Sequence, residues 1–208
     1  MSSPSELTPG IFRFDNEHFY GSKVGCYLLD EPAQVVLIEV PAFHEKNVNF
    51  VQGFKKPIVC IATHGPTIIA DAARWQKELS VKILLHKLDI NDPWLAGTPD
   101  QLLESDETQI GRLRVIHTPG HTPGSVCIFD ECRKVLFTGD SVAGTERGDV
   151  RPFQRGDSHD SDSKLRFKSV CTISELAFDT ILPFHYSPIA RDAGARLREY
   201  IASATEVA

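Results

Sequence analysis

One stretch constrains this chain more than any other, residues 117–142, HTPGHTPGSVCIFDECRKVLFTGDSV. Residues 125–129 are apolar and β-branched enough for a strand, residues 130–134 are polar and turn-like, and residues 135–138 form a second short strand. A hairpin reverses the chain, so the segment before its first strand meets the segment after its second at one end of the sheet. His121 precedes the first strand and Asp140 follows the second, which puts an imidazole and a carboxylate side by side at a sheet edge. Pro119, Pro123, Gly120, Gly124 and Gly139 suit a backbone folded sharply around something. Imidazole with carboxylate is metal-ligand chemistry. A capped turn with a surface His would explain either residue alone, but the pair on one Gly/Pro-braced hairpin points to a site.

The rest of the chain reads in order around that hairpin. Ile11–Phe14, residues 24–29 and residues 34–40 predict a three-stranded antiparallel meander, punctuated by Gly21–Ser22 and Asp30–Glu31–Pro32 and ended by Pro41. Residues 44–50 suit a short helix. Residues 58–62 have the look of a buried strand, followed by Thr63, His64, Gly65 and Pro66. Thr67 is the expected N-cap of a helix in which Ile68, Ile69, Ala72, Trp75, Gln76 and Leu79 fall on a 3.6-residue period. Residues 81–85 complete a β-α-β unit, whose crossover places the helix on one face of the sheet. Trp94 and Leu95, in a polar proline-bearing connection, are expected to pack onto the core. Residues 113–116 lead into the hairpin. Residues 144–163 alternate charges with Gly and Pro and read as a long surface loop, a length that is uncommon without a function. A helix over 163–176, a strand over 180–182 ending in Pro183–Phe184–His185, and an amphipathic helix carrying Ala193, Leu197, Tyr200, Ile201 and Ala204 close the sequence.

Composition narrows the class. With 208 residues, 41% of them hydrophobic, the chain can bury a sizeable core without disulfides or metal staples. It reads as a single domain over residues 1–208. A net charge of −6 without a basic run argues against a nucleic-acid partner. Cys26, Cys60, Cys127, Cys132 and Cys171 are scattered and never spaced CxxC. Three of them lie in apolar strand-like runs, so buried free thiols are expected and a Cys-type zinc site is not. No basic start with an apolar core is visible in MSSPSELTPG, and no apolar run is long enough to span a membrane, which makes the cytoplasm the default location.

His64, His121, Asp140 and His185 each adjoin a strand end and each is flanked by Gly or Pro. The order strand–THG–helix, TPGHTPGS, FTGDS and LPFHYSP resembles the metallo-β-lactamase superfamily, which includes glyoxalase II and lactonases, from about residue 11 to residue 200. The resemblance implies an α/β fold, a four-layer αβ/βα sandwich. It also implies a metal cradle in which His64, His121, Asp140 and His185 keep family ligands. The family's first motif, His-x-His-x-Asp-His, is degenerate here: its second His falls at Pro66, its Asp at Ile68 and its last His at Ile69. Two-metal sites hold their ions ~3.5–4 Å apart across a bridging oxygen. The ion that depends on positions 68 and 69 would lose two ligands, so the resemblance implies at most one.

Two functions follow. The first is a metal-dependent hydrolase acting on an ester, thioester or lactone with one zinc or iron ion. The second is a metal-free pseudo-enzyme, in which Pro66, Ile68 and Ile69 line an apolar remnant of the site that holds a small molecule or a protein partner. Three histidines and one carboxylate suffice in number for a tetrahedral ion. Apolar Ile68 and Ile69 beside Asp140 would desolvate it and weaken it as a ligand, so one ion and none stand as alternatives. The expected partner is a small-molecule ligand or substrate, neither nucleic acid nor membrane; a dimer is open. No side chain is assigned as catalytic. His117 reads as structural, Glu39 as a surface residue or a support behind the ligands, and His159, among Asp157, Asp160 and Asp162, as a loop residue or a replacement ligand. His18, His44 and His86 carry no constellation.

Overall fold

The computed structural model describes residues 4–14, 18–19, 22–151 and 160–206. The chain folds into two compact units, Met1–Glu104 and Ser105–Ala208.

The first unit is built on a seven-stranded sheet. Its strands are β1 (Ser5–Thr8), β2 (Ile11–Phe14), β5 (Cys26–Asp30), β6 (Val35–Ile38), β7 (Ile58–Ile61), β8 (Lys82–His86) and β9 (Gln101–Leu103), in that spatial order. The short β3 (His18–Phe19) and β4 (Ser22–Lys23) pair only with each other. Strands β2, β5 and β6 are the expected antiparallel meander. From β6 onward the pairing is parallel, because helices α1 (Glu45–Gln52) and α2 (Ala72–Leu79) carry the chain back between strands. Every residue of β6 is buried, which is why this strand reads in sequence as an unbroken apolar run instead of an alternating one.

The helices seal one face. Val51, Ile68, Ala72 and Trp75 join Leu28, Leu37, Cys60 and Ile83 in one buried cluster. The rings of Phe12, Phe50 and Phe54 meet edge to face at centroid separations of 5.3, 5.8 and 5.4 Å. His44 caps α1, its Nδ1 accepting from the Asn47 amide at 3.3 Å. The Trp75 indole donates to the Pro41 carbonyl at 2.7 Å and ties α2 to the end of the meander.

The start of a helix and the placement of one aromatic ring differ from expectation in this unit. The helix placed after Thr67 begins only at Ala72. Residues Gly65–Thr67 form a single 3-10 turn, and the Thr67 hydroxyl bonds back to the His64 carbonyl at 2.8 Å instead of capping forward. Ile68 then leaves helical geometry, at φ −82° and ψ 85°. Trp94 is 61% exposed, whereas its neighbour Leu95 does pack on the core. The Trp94 amide is bound to the Asp92 carboxylate at 2.8 Å in a tight turn that leaves the ring outside.

The second unit has a five-stranded sheet in the order β10 (Glu107–Ile110), β11 (Leu113–His117), β12 (Val126–Asp130), β13 (Val135–Gly139), β14 (Thr180–Pro183). The first four strands are antiparallel neighbours and β14 joins β13 in parallel. Helices α3 (Ser163–Ser174) and α4 (Ala193–Glu206) pack with it, burying Val170, Ile173, Ala193 and Leu197 against Cys127, Phe129, Leu136 and Ile181. At the polar turn of the β12–β13 hairpin, the fully buried Asp130 carboxylate takes the Arg133 amide at 3.1 Å and the Arg133 guanidinium at 2.7 Å. Cys26, Cys60 and Cys127 are buried free thiols, as expected. Among the described residues no helix is long and apolar enough to cross a membrane.

Candidate metal centre

Strand direction decides what gathers in the second unit. Strand β11 ends opposite the start of β12, where His117 pairs with Val126, and β13 ends beside β14, where Gly139 pairs with Pro183. The loops after β11, β13 and β14 therefore emerge at one sheet edge, and they carry His121, Asp140 and His185. The first loop is closed on itself by short-range bonds. Thr118 N–H donates to Ser125 O at 2.8 Å, and Thr122 N–H to Ser125 Oγ at 2.9 Å. His117, expected to be structural, bonds Pro123 O through Nε2 at 2.8 Å and so braces this loop.

The three side chains converge on one oxygen. His121 Nε2 lies 3.3 Å from Asp140 Oδ2, and His185 Nε2 lies 3.5 Å from the same atom. The other face of His121 is also occupied: its Nδ1 is 3.1 Å from Asp160 Oδ1. Asp160 is gripped by Arg166, whose Nη1 reaches Oδ1 at 2.8 Å and Oδ2 at 3.1 Å. Burial pushes the Asp160 carboxyl up, but the His121 hydrogen bond and the Arg166 charge outweigh it and hold the group below the usual carboxylate range. An ionised carboxylate only accepts, so Nδ1 of His121 donates to Asp160 and Nε2 is the nitrogen directed at Asp140. A ring nitrogen and a carboxylate oxygen 3.3 Å apart are held together by a proton or a cation between them.

The spacing fits a cation. Zinc–nitrogen and zinc–oxygen bonds of about 2.0–2.1 Å at tetrahedral angles give donor–donor edges of roughly 3.3–3.4 Å. His121 Nε2 with Asp140 Oδ2 gives one such edge at 3.3 Å, and His185 Nε2 with the same oxygen gives a slightly longer one at 3.5 Å.

In the first unit His64 stands on the turn after β7 and is buried. Its Nδ1 is 3.0 Å from Thr63 Oγ1. The same hydroxyl donates to Glu39, which also accepts the Thr63 amide at 3.1 Å. A hydroxyl that donates to Glu39 accepts from His64, so Nδ1 of His64 is the donor in that pair. Glu39 is not a surface residue: it is 1% exposed and adopts φ 67°. Burial pushes its carboxyl up, and the opposing pull of His64 and Thr63 does not cancel that. The turn itself is stapled to the segment after β8: Gly65 N–H donates to Asp89 Oδ2 at 3.0 Å and Ala96 N–H to Ile68 O at 3.0 Å.

Pro66, Ile68 and Ile69 offer no donor atom to a metal. Ile68 is fully buried in the core cluster of this unit and Ile69 packs on the same cluster half-buried. Ile68 Cγ2 sits so close to Gly97 that a β-carbon there would be 2.8 Å away. The expected apolar remnant of a pocket is thus, at Ile68, a filled piece of core. His159 lies outside the described residues. Asp160 and Arg166 were not singled out in sequence; the one signal was the acid-rich run DSHDSDS, which has the composition of any solvated loop.

Comparisons with known proteins bear on the family and the fold. The family described as the Metallo-beta-lactamase superfamily matches residues 46–187. An uncharacterized protein of Aquifex aeolicus is 30% identical over 179 residues, 76% of this chain and 82% of that protein. The acyl-coenzyme A thioesterase MBLAC2 of Gallus gallus is 32% identical over 111 residues, which is 51% of this chain but only 39% of the thioesterase. Among solved structures, a metallo-beta-lactamase from Pontibacter korlensis superposes with a TM-score of 0.75 at 18% identity, covering 96% of this chain and 97% of that one. This likeness shows a shared fold, an α/β sandwich of mixed sheets flanked by helices.

Proposed function

The chain belongs to the metallo-beta-lactamase superfamily, and we propose that it is a hydrolase working with a single divalent metal, zinc or iron, on a small ester or thioester. The observation that carries this reading is the approach of two imidazole nitrogens, from His121 and His185, to one oxygen of Asp140 at 3.3 and 3.5 Å. In this proposal those three residues hold the ion and His64, by its place in the family's motif order, is the fourth ligand. A single domain over residues 1–208 belongs to the same proposal, supported by a family match over residues 46–187. Pro66, Ile68 and Ile69 withhold the donors a second ion would need.

An ion held there supplies Lewis acidity toward a carbonyl and acidifies water. The chain's own groups do the rest. Asp140 brings the negative charge that balances a divalent ion, and Asp160 on Nδ1 of His121 holds that ring with Nε2 directed at Asp140. His185 has the more exposed side chain, 23% against 13% for His121, and marks the open side of the cluster. The thioester class is favoured over lactones by the match to an acyl-coenzyme A thioesterase. Five free thiols suit a reducing compartment, the cytoplasm.

The test is metal content and turnover together. Protein purified without chelator should hold close to one equivalent of zinc or iron and hydrolyse a short acyl thioester. His121→Ala should lose both by at least tenfold. Protein that stays below a small fraction of an equivalent after zinc or iron is added overturns the reading and leaves the metal-free binder in its place.

A further inference from the structure

We propose that Asp160 and Arg166 are positioning residues that set the tautomer of His121 and its spacing to Asp140, an inference that deepens the metal-centre reading and rests on it for the identity of the ligand. Arg166, in the first turn of α3, reaches both partners. Its Nη1 holds Asp160, which holds His121 Nδ1. Its Nη2 donates to the backbone carbonyl of Asp140 at 2.5 Å and its Nε to that of Ser141 at 3.2 Å. One guanidinium therefore ties the orientation of one ligand to the backbone of the other.

The backbone is locked in the same way. Ser161 N–H donates to His121 O at 2.9 Å, and Asp162 N–H donates to Gly120 O at 2.8 Å. Ser161 Oγ adds a bond to Gly120 O at 3.0 Å. Gly120, at φ 135°, is pressed so close to Arg166 that a β-carbon would lie 2.1 Å from the Arg166 nitrogen. The start of α3 and the loop bearing His121 thus share one rigid contact.

A stability role alone does not account for this arrangement. A buried ion pair is costly to desolvate, and apolar side chains of similar volume do as well or better for stability. The Asp160 side chain is 2% exposed and the Arg166 side chain 11%, yet the pair also bonds His121 and the carbonyls of Asp140 and Ser141. A carboxylate on the far nitrogen of a ligating imidazole fixes its tautomer and strengthens it as a donor; loss of such a partner typically weakens metal affinity ~10–100-fold. The ligand this serves is a borderline-soft divalent cation of the zinc or iron type.

The test uses the full chain, 15N-labelled and stripped of metal with chelator. Two-bond proton–nitrogen correlation spectra report which His121 nitrogen carries the proton, and zinc affinity is read by competition with a chromogenic chelator. Wild type should show Nδ1 protonated. Asp160→Ala should lose that preference and bind zinc about 10–100-fold more weakly. Asp160→Asn, which keeps an oxygen acceptor without the charge, should retain the tautomer and bind zinc several-fold more weakly than wild type. A folded Asp160→Ala with the wild-type tautomer overturns the proposal. Should that variant not fold, Asp160→Asn with wild-type zinc affinity overturns it instead. A wild-type protein that takes up no zinc sinks the hydrolase reading, and the tautomer comparison in metal-free protein then decides this one by itself.

Discussion

Glu39 and Asp160 are both carboxylates taken out of water close to a histidine, yet their proton affinities move in opposite directions. For Glu39 burial wins and the carboxyl is pushed up; for Asp160 the His121 bond and the forked Arg166 overcome burial and hold it down. The difference is the Arg166 guanidinium; the groups that pull the Glu39 carboxyl down are His64 and the hydroxyls and amide of its threonine neighbours. Glu39 also shows where single-residue reading stops. In sequence it is a charged residue at a strand end, which is ordinarily exposed, and nothing local announces a left-handed backbone or two bonds to Thr63. Glu39→Ala should cost about 1–3 kcal/mol, because the buried Thr63 amide loses its acceptor; denaturant unfolding measures it. A carboxyl whose folded pKa is raised contributes stability that is complete below its unfolded value of about 4.3 and is lost as pH rises through the folded one. Glu39→Gln carries no such titration, so its stability relative to wild type should climb from pH 4 to pH 7.

At the scale of elements, what was legible follows burial. The hairpin of β12 and β13, the meander and the β7–α2–β8 unit all stood out because their residues are apolar in runs. The candidate ligands stood out with them, being the His and Asp at strand ends braced by Gly and Pro. Strands β1, β9 and β10 did not, and all three are sheet edges. The sequence ETQI of β10 has no buried residue, and its order comes from pairing with β11 and from the Glu107–Arg114 fork at 2.9 and 3.1 Å. Edge strands carry polar residues that keep other strands away, and this erases the apolar signal. The start of α2 was misplaced because Thr67 has the residue type of a cap but spends its hydroxyl on His64 O. Helix α3, by contrast, is capped as such helices usually are: Asp162 accepts from Lys164 N and Leu165 N, both at 3.0 Å. Asp162→Ala should cost about 1 kcal/mol. Gly120→Ala should cost more, roughly 2–4 kcal/mol, since a β-carbon at positive φ would meet the backbone of Arg166. Thermal unfolding of the two variants side by side tests that order.

For the molecule as a whole, the buried thiols set the alkaline limit. Burial pushes Cys127 up to about 11, raises Cys60 well above its ordinary value, and raises the Tyr27 phenol. Groups raised on folding contribute stability that is complete below their unfolded pKa, about 8.5 for a thiol, and is lost as pH climbs through the folded value. Unfolding free energy should therefore fall between about pH 8.5 and pH 11, and Cys127→Ala should flatten part of that fall. In native protein a maleimide should modify Cys132, the exposed thiol, well before Cys26, Cys60 or Cys127. Added zinc should raise the melting temperature, because an ion that binds only the folded chain shifts the equilibrium toward it.

The two indoles of this chain sit in opposite surroundings. Trp75 is sealed in the core of the first unit, and Trp94 stands in water on the segment fastened to the His64 turn. Iodide should dim the red-shifted light of Trp94 and leave the blue emission of Trp75 untouched. The chain thus carries its own optical gauge beside that turn, one that needs no dye attached.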